Sequence, residues 1–412
     1  MSERISAAEV RGALLTRREI ALLDVRSEDA FAQAHPLFAA QLTPERVALE
    51  APLRLPRRSV PIAVYGSGAA EVESARRELS RLGYGSVLEL EGGLEGWRAA
   101  GFELFRDVNS YSKAFGELVE SRRHTPFVSA EVLHGLLQER ADLVVLDARR
   151  FDEYRTMNIP TSTSVPGAEL VLCARALAPH PRTTIVVNCA GRTRSIIGAQ
   201  SLLNAGVPNR VVALRNGTIG WTLAGQTLET GSERRATAPD ADALEEARQA
   251  ARDVAYRTGV RHIDVSELGR LLEDVGRTTY RFDVRSPEAY AEGHLPGFLS
   301  APGGQLVQET DVFAPVRGAR IVLADDLGPR ADMTASWLAQ MAWEVYVVEA
   351  DYGLGLERGD PHGIPPRSRA GRYRRPYEGT DSPEAAMRAY LEWEYGLVAQ
   401  LERDATHGFY VI

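Results

Sequence analysis

Cysteine and lysine are nearly missing from this chain of 412 residues, which holds two cysteines, Cys173 and Cys189, and one lysine, Lys113. Two thiols cannot build a disulfide framework or a four-cysteine zinc site. No run of ~18 apolar residues occurs, which argues against a membrane-spanning helix. The opening MSERISAAEVRG is too polar for a secretory signal, so a cytoplasmic protein is expected. A basic excess is also lacking: 48 Lys and Arg against 56 Asp and Glu leave a net charge of −8, which argues against nonspecific nucleic-acid binding. What remains is 44% hydrophobic and 25% charged, an ordinary globular composition. The length suits two to four domains of ~100 to 200 residues each. Almost all positive charge sits on arginine, whose planar fork of donors suits oxyanions.

The chain repeats itself three times. ALLDVRSEDAF, VVLDARRFDEY and YRFDVRSPEAY each end an apolar run in Asp-x-Arg, at Asp24 and Arg26, Asp147 and Arg149, and Asp283 and Arg285. A second apolar strand, a polar loop and an Ala/Leu-rich helix follow in each unit. The interval from the Asp to the residue closing that second strand is the same every time: Asp24 to Gly66, Asp147 to Cys189, Asp283 to Asp325. Short β-branched strands alternating with amphipathic helices predict parallel βαβ units, so the fold class is α/β, three tandem domains each with a small parallel sheet flanked by helices. The expected divisions are 1–115, 116–232, a connecting helix over 233–258, 259–350, and a loop with a C-terminal helix over 351–412. Ser382-Pro383-Glu384 suits an N-cap and first turn for that last helix. The helix is expected to cap the third unit with Tyr390, Leu391, Trp393 and Leu397. The first two units end in Gly-Trp, at Trp97 and Trp221; the third does not, which suggests that repeat material once lay between residues 350 and 372.

Of the three equivalent strand ends, Gly66, Cys189 and Asp325, one carries a nucleophile. The carboxyl end of a parallel strand opens onto the functional crevice of an α/β fold. TIVVN delivers Cys189 there, into Ala190-Gly191-Arg192-Thr193-Arg194, with the helix SIIGAQSLLNAG following at once. Loop amides, a helix N-terminus and two arginines favour thiolate over thiol. The same donors would hold an oxyanion. A free cysteine is more often a small buried hydrophobe, and Cys173 within GAELVLCARAL fits that description, with a resolving or relay thiol as its alternative. The first and third units are expected to be noncatalytic.

The strand-Cys-loop-helix CAGRTRS, the LDAR strand before it, the Asn-Gly and Gly-Trp ending, and DVRSPEAYAEGHLPG in the third unit resemble the rhodanese superfamily of sulfurtransferases, over about residues 8 to 350 in three copies. The resemblance implies a thiosulfate sulfurtransferase-like enzyme without metal or organic cofactor. Its cysteine, Cys189, takes the sulfane sulfur of thiosulfate, releases sulfite, and passes the persulfide sulfur to cyanide or a thiol. It further implies that Ala190, Gly191, Arg192, Thr193, Arg194 and Ser195 surround the substrate, with Arg192 and Arg194 attracting the anion. Arg149 matches a substrate-facing position, or else forms a structural salt bridge, as Arg26 and Arg285 would in units without cysteine. Asp147 is expected to be a structural acceptor. Two-domain relatives suggest that the first unit walls the pocket.

Departures leave the donor open. Met157-Asn158-Ile159-Pro160 replaces the third unit's Gly293-His294-Leu295-Pro296, and the loop is of neither the CRKG nor the CGSG type. Cysteine phosphatases and arsenate reductases are a rival reading, but phosphatases sharing this fold place an arginine six residues after the cysteine, where Ser195 stands. A noncatalytic sulfur-relay or scaffold protein is the other. Partners are thus a small anionic sulfur donor and a thiol or cyanide acceptor, with no nucleic acid and no membrane. Tyr373, Arg374, Arg375 and Tyr377 are expected to serve an interface in a homo-oligomer.

Overall fold

The computed structural model describes residues 4–352, 355–359, 373–375 and 377–412. Three α/β units follow one another. In the middle unit five parallel strands lie in the order Phe127–Val128, Val211–Leu214, Thr184–Asn188, Leu143–Asp147, Thr163–Ser164. The third unit repeats this order with Arg261–Ile263, Glu344–Val348, Arg320–Ala324, Thr279–Asp283 and Leu299–Ser300. The first unit does so with Arg4–Ile5, Val87–Leu90, Ile62–Tyr65, Ile20–Asp24 and Ala39–Gln41. Central strands such as Ile20–Asp24 and Ile62–Tyr65 are buried along their whole length, as expected of parallel strands covered on both faces.

The first sheet also takes a strand from elsewhere. Val316–Arg317, from the third unit, pairs antiparallel with Ile20 and Ala21, on the stretch of that strand that Ala39–Gln41 leaves free. One hydrophobic core accordingly runs through both units, joining Leu22 and Phe115 to Ile321 and Trp337.

Each Asp-x-Arg closes on itself. Arg149 Nε and Nη2 donate to the two oxygens of Asp147 at 2.9 and 2.7 Å, and Nη2 also donates to Met157 O. Arg26 and Arg285 do the same with Asp24 and Ala34 O, and with Asp283 and Gly293 O. All six side chains are buried, where an unpaired charge would cost several kcal/mol. The pair therefore pins the turn after the strand in every unit.

Two helices link the units in sequence, and one within the third unit packs on the second. Residue 115 lies inside a helix, Ser110–Arg123, which packs on the helix after the cysteine loop; a side chain at Gly116 would come 2.9 Å from Thr193 Cγ2. Ala241–Arg257 is capped by Asp240, whose side chain accepts from Ala243 N. Pro329–Gln340 of the third unit, buried except at Arg330, donates from Trp337 Nε1 to Ser201 Oγ of the cysteine helix.

The C-terminal region departs from expectation. It forms two helices, Pro383–Tyr395 and Leu397–Asp404, and the Ser382 side chain makes no cap bond. Tyr390 and Leu391 pack on Ile219 of the middle unit, while Leu397 and Leu401 enter the core shared by the first and third. The tail is thus held by all three units rather than capping the third alone, because its apolar residues fall on two helices that pack in different cores. Most of the stretch assigned to lost repeat material, 350–372, lies outside the described residues.

Candidate active site

Strand Thr184–Asn188 ends one residue before Cys189, and helix Thr193–Asn204 begins four residues after it. Between them the loop turns over a fixed floor. Thr218 N donates to Cys189 O at 2.9 Å and Ile219 N to Ala190 O at 3.0 Å, so the loop carbonyls are satisfied from below. The amides of Gly191, Arg192, Thr193 and Arg194 donate to no group among the described residues. A helix start with its amides unspent is an anion cradle.

The floor depends on Gly217, which has φ +53°; a Cβ there would lie 2.2 Å from Cys189 O and 2.8 Å from Gly191 O. Replacing Gly217 by alanine is expected to displace the loop, destabilising the protein by about 2 kcal/mol or more. Sulfur-transfer activity should fall more than ~10-fold, since a 1 Å misplacement is already costly. Thermal unfolding beside an activity assay checks this.

Cys189 is buried, with Sγ 3.3 Å from Ser195 Oγ. Ser195 Oγ also lies 2.8 Å from Arg192 O, to which it can donate while accepting from the thiol. The same hydroxyl can instead donate to the sulfur once the thiol ionises.

The two loop arginines are committed elsewhere. Arg192 Nε and Nη2 fork onto Glu117 at 2.6 and 2.8 Å, Nη2 also meets Glu120, and the guanidinium lies 4.2 Å from the centre of the Tyr395 ring. Arg194 is bidentate to Glu153 at 2.7 and 2.9 Å. Burial works against both charges of that pair, but Arg194 holds the Glu153 carboxyl well below its ordinary range. Arg149 faces Asp147, as described, and Asn188 Nδ2 donates to the same carboxylate at 3.0 Å.

Other residues complete the pocket. It is small, about 40 Å³, and is lined by Cys189 to Arg194 together with Ser112, Lys113, Ile219, Gln308, Arg375, Tyr390 and Glu394. Of the stretch 1–115 expected to wall the pocket, Ser112 and Lys113 near its end do so, and Gln308 of the third unit and the tail supply the rest. Lys113, the one lysine, bonds Asp107 at 2.9 Å and lies over the rings of Tyr390 and Trp393. Arg375, expected at an interface, turns into the pocket. Among the described residues it forms no ion pair, its Nη1 donating to Tyr377 OH at 2.8 Å. Cys173 is buried in apolar surroundings that push its thiol up to about 12, and it is absent from the pocket.

The equivalent loops of the outer units are plugged by their own carboxylates. Ser67 N donates to Glu71 at 2.7 Å. Asp325, at the cysteine position, accepts from the amides of Leu327 and Arg330 at 3.3 and 3.0 Å and from Arg330 Nη1 at 2.8 Å. An acidic side chain stands in each where the middle unit leaves its amides open.

The rhodanese-like domain model matches residues 6–100, 129–224 and 264–353. The chain belongs to the rhodanese family. Its three rhodanese-like domains correspond to the three sheets. Over its whole length it is similar to the whole chain of a thiosulfate sulfurtransferase from Pseudomonas aeruginosa, at 47% identity and TM-score 0.94. A further similar structure, the Alr3790 protein from Anabaena sp., shares 29% identity over 26% of this chain and 83% of that one, with TM-score 0.24. No curated protein matches. Among the described residues no helix is long and apolar enough to cross a membrane, and no cluster of His, Cys, Asp or Glu could hold a metal ion.

Proposed function

We propose that this rhodanese-family transferase moves sulfane sulfur from thiosulfate, or a similar anionic donor, to a thiol or cyanide through a persulfide on Cys189. The observation carrying this reading is the cradle itself: one buried thiol beneath unspent amides, in the middle rhodanese-like domain, while both outer cradles are filled by carboxylates. Cys189 Sγ attacks the outer sulfur of the donor. The donor's S–S bond breaks, and its electron pair leaves on sulfite. The amides of residues 191–194 receive the negative terminal sulfur, placed where charge develops. Arg375 and Lys113, at the pocket wall, attract the dianion. The acceptor then attacks the outer sulfur, and the pair returns to Cys189 Sγ.

Phosphoryl chemistry suits the site less well, because Arg194 is committed to Glu153. Protein incubated with thiosulfate is expected to gain about 32 Da, one added sulfur, on the peptide bearing Cys189. Unmodified protein, or sulfur found on Cys173, would overturn the persulfide assignment.

A further inference from the structure

Glu394 is the one carboxylate of the tail that lines the Cys189 pocket. Its side chain is buried, with Oε1 accepting from Tyr390 OH at 3.1 Å and Oε2 bonded to no partner among the described residues. Oε2 points at the cradle loop, since a Cβ built on Gly191 would stand 3.5 Å from it. An unpaired buried carboxylate oxygen costs stability unless it serves another purpose. Beside a site for an anionic donor it is stranger still, because a second negative charge would repel that donor.

We propose that Glu394 is the proton relay for the acceptor half of the transfer, and that the acceptor is a small thiol that arrives carrying its proton. This rests on the persulfide reading above. An ionised Glu394 accepts the proton from the thiol, R–SH. The resulting thiolate sulfur bonds to the sulfane sulfur. The bond from that sulfur to Cys189 Sγ breaks, with the electron pair returning to Sγ. Glu394 then gives the proton to the sulfane sulfur, now R–S–SH, and ends ionised as it began. No oxidant or reductant is consumed.

The surroundings suit a group that changes state during the cycle. Burial pushes Glu394 up to about 7; Lys113 opposes that rise, Glu117 adds to it and Arg192 opposes it. Tyr390 faces it from its own helix, and Tyr377 and Arg375 from the preceding tail segment. Neutral Glu394 tolerates the anionic donor, and ionised Glu394 takes the proton of the acceptor. A pocket of about 40 Å³ walled by four parts of the chain favours a small acceptor over a protein one.

The test compares wild type, Glu394→Gln and Glu394→Asp, each loaded with thiosulfate and checked by mass for sulfur on Cys189. Discharge is then followed by stopped flow with 2-mercaptoethanol across about pH 5.5 to 9, and with sulfite above about pH 8, where sulfite brings no proton. Thiol discharge by wild type should rise with pH and level off above about 7, as the base ionises. Glu394→Gln should load normally, lose that limb and discharge to thiol ~10 to 100-fold more slowly near pH 7, within the range of general-base effects. Its discharge to sulfite should not slow.

Glu394→Asp keeps a carboxylate, so it should retain the limb at a reduced thiol rate; if the glutamine variant does not fold, this variant decides. Thiol discharge unchanged in either folded variant, or slowed equally for thiol and sulfite, would overturn the relay. Wild type that fails to load at Cys189 would instead sink the persulfide reading, and the relay with it.

Discussion

Cys189→Ser is expected to abolish sulfur transfer, leaving less than ~10⁻³ of the wild-type rate with thiosulfate and cyanide, because a serine hydroxyl neither ionises near neutrality nor forms a stable link to sulfane sulfur. The fold should survive. The substitution exchanges sulfur for oxygen in a site that already holds Ser195 Oγ within 3.3 Å, so a hydroxyl there keeps a hydrogen-bond partner. Unfolding midpoints within about 1 kcal/mol of wild type are therefore expected, as for most single substitutions that open no cavity. Cys173→Ser should retain activity, since that thiol lies outside the pocket. Thiocyanate formation measured on all three proteins tests the pair of statements. Turnover surviving in Cys189→Ser, or lost only in Cys173→Ser, would reject Cys189 as the sulfur carrier.

The second large effect is structural. Arg192→Ala should destabilise the protein by about 3 to 5 kcal/mol, the usual consequence of stranding a buried partner. The side chains of Arg192 and Glu117 are 2% and 4% exposed, so water cannot replace the lost fork. Glu120 and the Tyr395 ring lose the same cation. Arg192→Lys should recover only part of this, because one ammonium cannot fill the planar geometry that reaches Glu117 twice. Activity should fall as well. Arg192 ties the cradle to helix Ser110–Arg123, which brings Ser112 and Lys113 to the pocket. Chemical denaturation of the three proteins checks the order wild type, lysine, alanine. Equal stability of alanine variant and wild type would show that the fork contributes nothing.

Arg192 also marks the limit of what is readable in the chain. Three α/β units and the singular position of Cys189 follow from local patterns: equal spacing, short β-branched strands, and a polar loop before a helix. The self-pairing of Arg149 was legible as one of two readings, because Arg26 and Arg285 repeat it in units that have no sulfur to handle. The destination of Arg192 was not legible. Glu117 and Glu120 lie on a connecting helix far back in sequence, and nothing in CAGRTRS encodes them. Lys113 was conspicuous as the one lysine, yet its place at the pocket follows only from the packing of that helix. Glu394 and Arg375 belong to a tail with no repeat pattern, so tertiary structure alone brings them to the cysteine. Gly217 was visible within an Asn-Gly pair, although its role under the loop needs the positive φ to be seen. A two-residue strand such as Val316–Arg317 is too short to leave any periodicity.

That strand bears on how the protein is made. Ile20 and Ala21 leave the ribosome long before Val316 and Arg317 exist to pair with them, an interval of roughly 15 to 60 seconds at ~5 to 20 residues per second. During that time the nascent first domain carries a bare stretch of strand edge, the kind of surface on which chains join one another. Completion of the N-terminal domain is therefore a late event of synthesis, waiting on the C-terminal half of its own polypeptide.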